Sequence, residues 1–66
     1  MSYVVEMWKD GKLEYVSFVQ VSSGMVVVYA TADQKRAARF KYFVANAIAA
    51  LIRADQNIPC NPLPEE

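Results

Sequence analysis

The only two glycines of the chain, Gly11 and Gly24, each sit in a short polar turn between runs of β-forming residues, which constrains the N-terminal half tightly. Residues 3 to 8, Tyr-Val-Val-Glu-Met-Trp, stop at Lys9-Asp10-Gly11-Lys12. Asp-Gly there supplies the pair of positive-φ residues that a tight hairpin turn requires. A second strand is predicted from about Leu13 to Val21, a second reversal at Ser22-Ser23-Gly24, and a third strand from Met25 to Tyr29. Neither turn leaves room for a crossover helix, so the three strands follow one another as an antiparallel meander in the order 1-2-3.

The second half reads as helix. Thr31-Ala32-Asp33-Gln34 has the form of a capping box, in which a hydroxyl and a side-chain amide exchange bonds with the first backbone N–H groups. No Gly or Pro occurs between Ala32 and Asp55, and the segment is rich in alanine. One long helix of about 33 Å is therefore expected, ending near Asn57. Beyond it, Ile58-Pro59-Cys60-Asn61-Pro62-Leu63-Pro64-Glu65-Glu66 has polyproline character. The fold expected is α+β: a three-stranded antiparallel meander packed against one long C-terminal helix. Residues 1–57 form a single β-β-β-α domain and residues 58–66 a Pro-rich acidic tail.

Composition removes several classes of chemistry. The 66 residues carry 55% apolar and 21% charged side chains, which suits one small folded core and not a disordered chain. There is no histidine and a single cysteine, Cys60, so neither an intrachain disulfide nor a His-based catalytic set can be assembled. A lone Cys among scattered carboxylates does not resemble a zinc site, and two glycines 13 positions apart cannot make a phosphate loop. No cofactor, no metal and no enzymatic activity are expected. No basic-then-apolar leader is visible at Met1-Ser2-Tyr3, so a cytoplasmic protein is the expectation. The charge-free run Tyr15 to Ala32 is broken by Ser, Gln and Gly, and Tyr42 to Ile52 is too short to span a bilayer needing about 20 residues, so no membrane partner is expected.

The chain carries more apolar surface than one helix on one sheet can bury. On a helical wheel, Phe40, Val44, Ala47, Ile48 and Leu51 make one stripe suited to covering the sheet. Ala38, Tyr42, Ala45, Ala49 and Ile52 make a second stripe almost opposite, mostly of small residues that permit close backbone approach. The strands show the same excess, with Tyr3, Val5 and Met7 against Val4 and Trp8, and Met25, Val27 and Tyr29 against Val26, Val28 and Ala30. In the second strand Tyr15, Val19 and Val21 are opposed by Val16 and Phe18. An antiparallel sheet solvated on one face would alternate with polar residues instead. The pattern predicts a small regulator, adaptor or inhibitor that acts as a homodimer and docks on a larger protein, the interface being either the stripe Ala38, Tyr42, Ala45, Ala49 and Ile52 or the open face of the sheet. Size and composition also fit a protein of viral or mobile-element origin.

Charge is balanced overall, seven basic against seven acidic residues, but unevenly placed. Lys35, Arg36, Arg39 and Arg53 fall on one flank of the expected helix, a strip suited to phosphates or to an acidic protein partner. Three strands followed by Lys35-Arg36-Ala37-Ala38-Arg39 resemble the second half of a double-stranded-RNA-binding domain, with Gly11 and Phe18 at similar spacings and the similarity running over roughly residues 3 to 52. The first helix of that domain has no counterpart here. The resemblance implies that Lys35, Arg36 and Arg39 open the helix and contact phosphates across the major groove, giving nucleic-acid binding as the alternative function.

Overall fold

The computed structural model describes residues 1–65. It is α+β, with one antiparallel sheet of four strands and one helix. Strands β1 (Ser2–Lys9), β2 (Lys12–Ser22) and β3 (Met25–Thr31) form the expected meander. Both connecting turns place two successive residues at positive φ, Asp10 and Gly11 at 53° and 77°, Ser23 and Gly24 at 51° and 77°. These are two-residue hairpin turns whose twist matches that of the strands.

The segment expected to be a tail is instead the fourth strand, β4 (Cys60–Glu65), which pairs antiparallel with β1 from Met7↔Cys60 to Ser2↔Glu65. The sheet order is therefore β3-β2-β1-β4. Proline is compatible with this position because β4 is an edge. Pro62 and Pro64 face Val5 and Tyr3. Tyr3 spends its own N–H and C=O on Phe40, on the other side of β1, at 2.9 and 2.8 Å. The Tyr3–Pro64 pair, and Val5–Pro62 two residues on, are thus the pairs that exchange no hydrogen bonds, and the missing proline N–H groups would have pointed outward. Glu66 lies outside the described residues.

The helix α1 spans Tyr42–Gln56, starting ten residues later than the capping box predicts. Thr31 and Asp33 do act as local acceptors: Thr31 Oγ1 takes the Asp33 N–H at 3.1 Å and Asp33 Oδ1 takes the Lys35 N–H at 3.0 Å. They cap only the 3₁₀ turn Gln34–Arg36, which ends as Ala37 turns extended. Tertiary contacts override helix propensity here. A bulge at Ser17 shifts the β2–β3 register between Val16 and Phe18, and the ladder between β1 and β2 covers only Glu6↔Tyr15 to Lys9↔Lys12. Residues 38–40 occupy the resulting split, with Ala38 N–H donating to Val16 and Phe40 pairing with Tyr3. An α-helix through this segment would leave those backbone groups unpaired. The C-terminal end of α1 is as expected, with Asn57 at φ 55° in the left-handed region.

The bulge also re-phases β2. Val16 and Val19, three residues apart, both pack on the helix side of the sheet with Val5, Met7 and Val28, whereas Tyr15 joins Val4 on the far side. The expected grouping of Tyr15 with Val19 and Val21 is corrected accordingly. On α1 the buried face is shifted: Ala45, Ala49 and Ile52 are fully buried against the sheet, Phe40 and Ile48 of the expected core stripe pack at the margin of the same core, and Leu51 is half exposed and Ala47 exposed. Large sheet residues supply the volume, and alanine lets the helix backbone settle close over β1 and β4.

Two consequences are measurable. Ending the chain after Pro59 should abolish cooperative thermal unfolding followed by circular dichroism, because β1 then loses one neighbour and Cys60 leaves the core; a solvated tail would leave the melt unchanged. Ala49→Glu should prevent folding altogether by forcing an unpaired charge into the core, and Ile52→Ala should cost about 2–5 kcal/mol in urea denaturation.

Candidate protein-binding surface

The helix lies over β1 and β4, so the outer part of the sheet stands largely clear of it. Beyond the bulge, β2 and β3 continue as a two-stranded ribbon paired from Phe18↔Tyr29 to Ser22↔Met25. No residue of β3 is fully buried. An open groove of about 540 Å³ separates the ribbon tip from the last turns of α1, lined by Gly24, Met25 and Val26 on one side and Leu51, Ala54 and Asp55 on the other.

Cross-strand partners share a face, so Phe18, Tyr29, Val27 and Met25 all project on the side away from the helix. Phe18 is 55% exposed, Tyr29 50% and Met25 66%, and Val27 is also exposed. The Phe18 and Tyr29 rings lie 5.7 Å apart and tilted by 51°, a contact that braces both. Nearer the split, the same face is closed by Ala37, which packs on Val4 and Tyr15 with Leu13 and Leu63 at the margin. The exposed band therefore begins where the cover supplied by Ala37 ends. Its sequence signal is the alternation within β3 together with the charge-free run Tyr15 to Ala32; what the pattern hides is the bulge at Ser17, which sets Tyr15 on the same face as Phe18 although the two are three residues apart.

The residues expected to form an interface stripe are dispersed. Ala45, Ala49 and Ile52 belong to the core. Ala38 is half-buried, its N–H bonded to Val16. Tyr42, the first residue of α1, is exposed and meets Tyr3 edge-on with ring centroids 5.1 Å apart.

The four basic residues do not share one helical flank either. Lys35 and Arg36 lie in the 3₁₀ turn and Arg39 in the extended segment, all before α1, while Arg53 is in its last turn. Arg39 pairs with Glu65, which also accepts from Gln34 Nε2 at 2.8 Å, and donates to the Ala37 carbonyl at 2.7 Å. This knot ties the end of β4 to the segment that fills the split. Arg53 donates to the Cys60 carbonyl, fastening the helix end to the start of β4. Lys35 is exposed, and Arg36 makes a solvated contact of 3.8 Å with Asp33. The two arginines that sequence places in a binding strip are thus engaged as structural clamps.

Cys60 is buried at the junction of β4, β1 and α1. Burial raises its thiol pKa to about 11, with Arg53 partly offsetting the rise and Glu6 adding to it. Among the described residues no group of three or more Cys, Asp or Glu side chains is arranged to hold a metal ion, and no helix is long and apolar enough to cross a membrane. Compared with protein-family models, with curated proteins and with solved structures, the chain shows no match.

The Cys60 environment makes a pH prediction with a definite sign. In the unfolded chain the thiol ionises near its ordinary value of 9.0, in the folded protein only near 11. Between those values the unfolded state releases a proton that the folded state keeps, so stability contributed by Cys60 is complete below pH 9 and falls as pH rises toward 11. Urea titrations across this window should show a steeper loss for the wild type than for Cys60→Ala. A disulfide-exchange reagent at pH 8 should modify Cys60 no faster than the protein unfolds.

Proposed function

We propose that this chain is a small non-enzymatic protein-binding module, a regulator, adaptor or inhibitor, whose far sheet face docks on a larger protein. The observation that carries the reading is the band of Phe18, Met25, Val27 and Tyr29, four large apolar side chains side by side on one paired ribbon. Isolated exposed hydrophobes need no explanation, but a contiguous band braced by an aromatic pair does. Aromatic residues and methionine are the types enriched in the buried centre of protein interfaces. The ribbon is held by backbone pairing, so docking costs little ordering entropy. Strand β3 has no charged side chain to desolvate.

A second reading, contact with an anionic surface such as nucleic acid, has support in the exposed neighbours Lys35 and Arg36. Salt separates the two, since phosphate contacts release counterions whereas apolar docking does not.

The test is retention of a protein partner on the immobilised chain from an extract of its source cells. Retention should persist when salt rises from about 0.1 to 0.5 M, where charge contacts are screened within a few Å. The double substitution Phe18→Ser with Tyr29→Ser should abolish it while costing the fold little, because both rings are half exposed. Retention that disappears with salt and with Lys35→Glu plus Arg36→Glu, but survives the ring substitutions, would replace this reading with the anionic one.

A further inference from the structure

We infer that the free edge of β3 pairs antiparallel with the β3 edge of a second copy of this chain, about a twofold axis at Val28, closing a dimer with one continuous eight-stranded sheet. The inference rests on reading the chain as a protein-binding module, but it uses the backbone edge of the ribbon and not its far face.

The two edges of the sheet are unlike. Strand β4 presents Pro62 and Pro64 at outward-facing positions, so that edge lacks two of the donors that a pairing strand would use. Strand β3, at the other edge, runs Met25-Val26-Val27-Val28-Tyr29-Ala30-Thr31 with no proline, no glycine and no charge. An uninterrupted apolar edge of this kind is a template for strand addition, which natural sheets otherwise blunt.

The register follows from the turn. With Ser23 and Gly24 both at positive φ, Ser22 and Met25 close a two-residue hairpin and exchange hydrogen bonds. Alternation then turns Met25, Val27 and Tyr29 toward β2 and leaves the N–H and C=O of Val26, Val28 and Ala30 facing outward. Val28 is the middle of the seven residues. A twofold axis there sets Val28 against its symmetry mate and Val26 against Ala30 of the second copy, so every outward group from 26 to 30 finds a partner. Absence of charge matters here, because a twofold brings side chains near their own kind and like charges would repel.

A second copy fits better than an unrelated strand because the edge is self-complementary and the surface beside it is short of cover. Among the described residues, five of the ten large exposed hydrophobics lie on this ribbon, Phe18, Val21, Met25, Val27 and Tyr29. Pairing at β3 sets the two ribbons side by side, with Val27 of each copy beside Tyr29 of the other. The blocked β4 edges then form both ends of the joined sheet, so assembly stops at two and no fibre grows.

Sedimentation equilibrium from about 1 to 200 μM, the range where such contacts exchange, tests this directly. The mass should rise from 7.4 kDa toward twice that value and no further. Chain prepared by chemical synthesis with an N-methyl group on Val28 keeps every side chain and removes one outward donor; it should dimerise at least tenfold more weakly with an unchanged melting curve. Ala30→Pro should do the same in recombinant protein. Should either variant fail to fold, amide exchange on the wild type decides: the N–H groups of Val26, Val28 and Ala30 should gain protection as concentration rises. A monomer at all concentrations, exchange independent of concentration, a dimer indifferent to both substitutions, or growth beyond two would each overturn the inference. A monomer that still captures a larger protein through Phe18 and Tyr29 would overturn it while leaving the far-face reading intact.

Discussion

Two backbone hydrogen bonds between Tyr3 and Phe40, at 2.9 and 2.8 Å, hold the rest of the structure in place. The bulge at Ser17 opens a split between β1 and β2, and buried N–H and C=O groups on its rim would be costly if left unpaired. Residues 38–40 fill that split and also carry the chain across the sheet, with Ala37 packed in the far-side cluster and Phe40 against the helix-side one. The point of crossing determines where α1 begins and which strands it can cover. Because the helix starts at Tyr42, beside the N-terminal end of β1, it lies chiefly over β1 and β4, and of the β2–β3 ribbon only Val19 and Val28 pack on the core beneath it. The groove beside the ribbon tip follows from that placement, whereas the apolar band faces away from the helix and is open because the far-side cover stops at Ala37.

The clamps around this segment divide the basic residues into two kinds. Arg39, tied to Glu65, Ala37 and the turn before it, is a structural cation, and so is Arg53 on the Cys60 carbonyl. Arg39 joins the end of β4 to a segment remote in sequence and Arg53 joins its start to the helix just before it, so the strand that blocks one edge of the sheet is held by charge as well as by its ladder. An arginine donating to a carbonyl or carboxylate in this way has less of its guanidinium left for an external phosphate. Sequence counts charges along a wheel; it does not say which of them the fold has already used.

What could be read from the chain beforehand follows the range of the interactions. Both hairpins were legible because Asp10-Gly11 and Ser23-Gly24 act within four residues, and so was the helix stop at Asn57. The start of the helix was not, since Thr31 and Asp33 satisfy a local capping pattern while contacts with Val16 and Tyr3, far away in sequence, decide the outcome. Strand β4 was hidden by its prolines, which argue against a strand unless one knows that it sits at an edge with its donors turned outward. The buried face of the helix was misplaced because hydrophobic size favours Val44 and Leu51 as core, whereas close approach to a sheet of Val and Met favours Ala45 and Ala49, with Phe40 and Ile48 packed at the margin. The apolar excess of β3 was visible in the sequence, but its placement on an open ribbon depends on a bulge that no local residue announces.

The pairing of β1 with β4 sets the first strand beside the last, Ser2 opposite Glu65. In a chain made from its N-terminus, β1 can fold onto β2 at once but must wait for every later element before its other side is satisfied. Loop closure over almost the whole length comes last and slows folding, as non-local pairing does in general. Until then the nascent chain presents the unpaired side of β1, and the cooperative structure forms only when β4 arrives. The seam between β1 and β4 is therefore the part of the sheet with the greatest sequence separation to close.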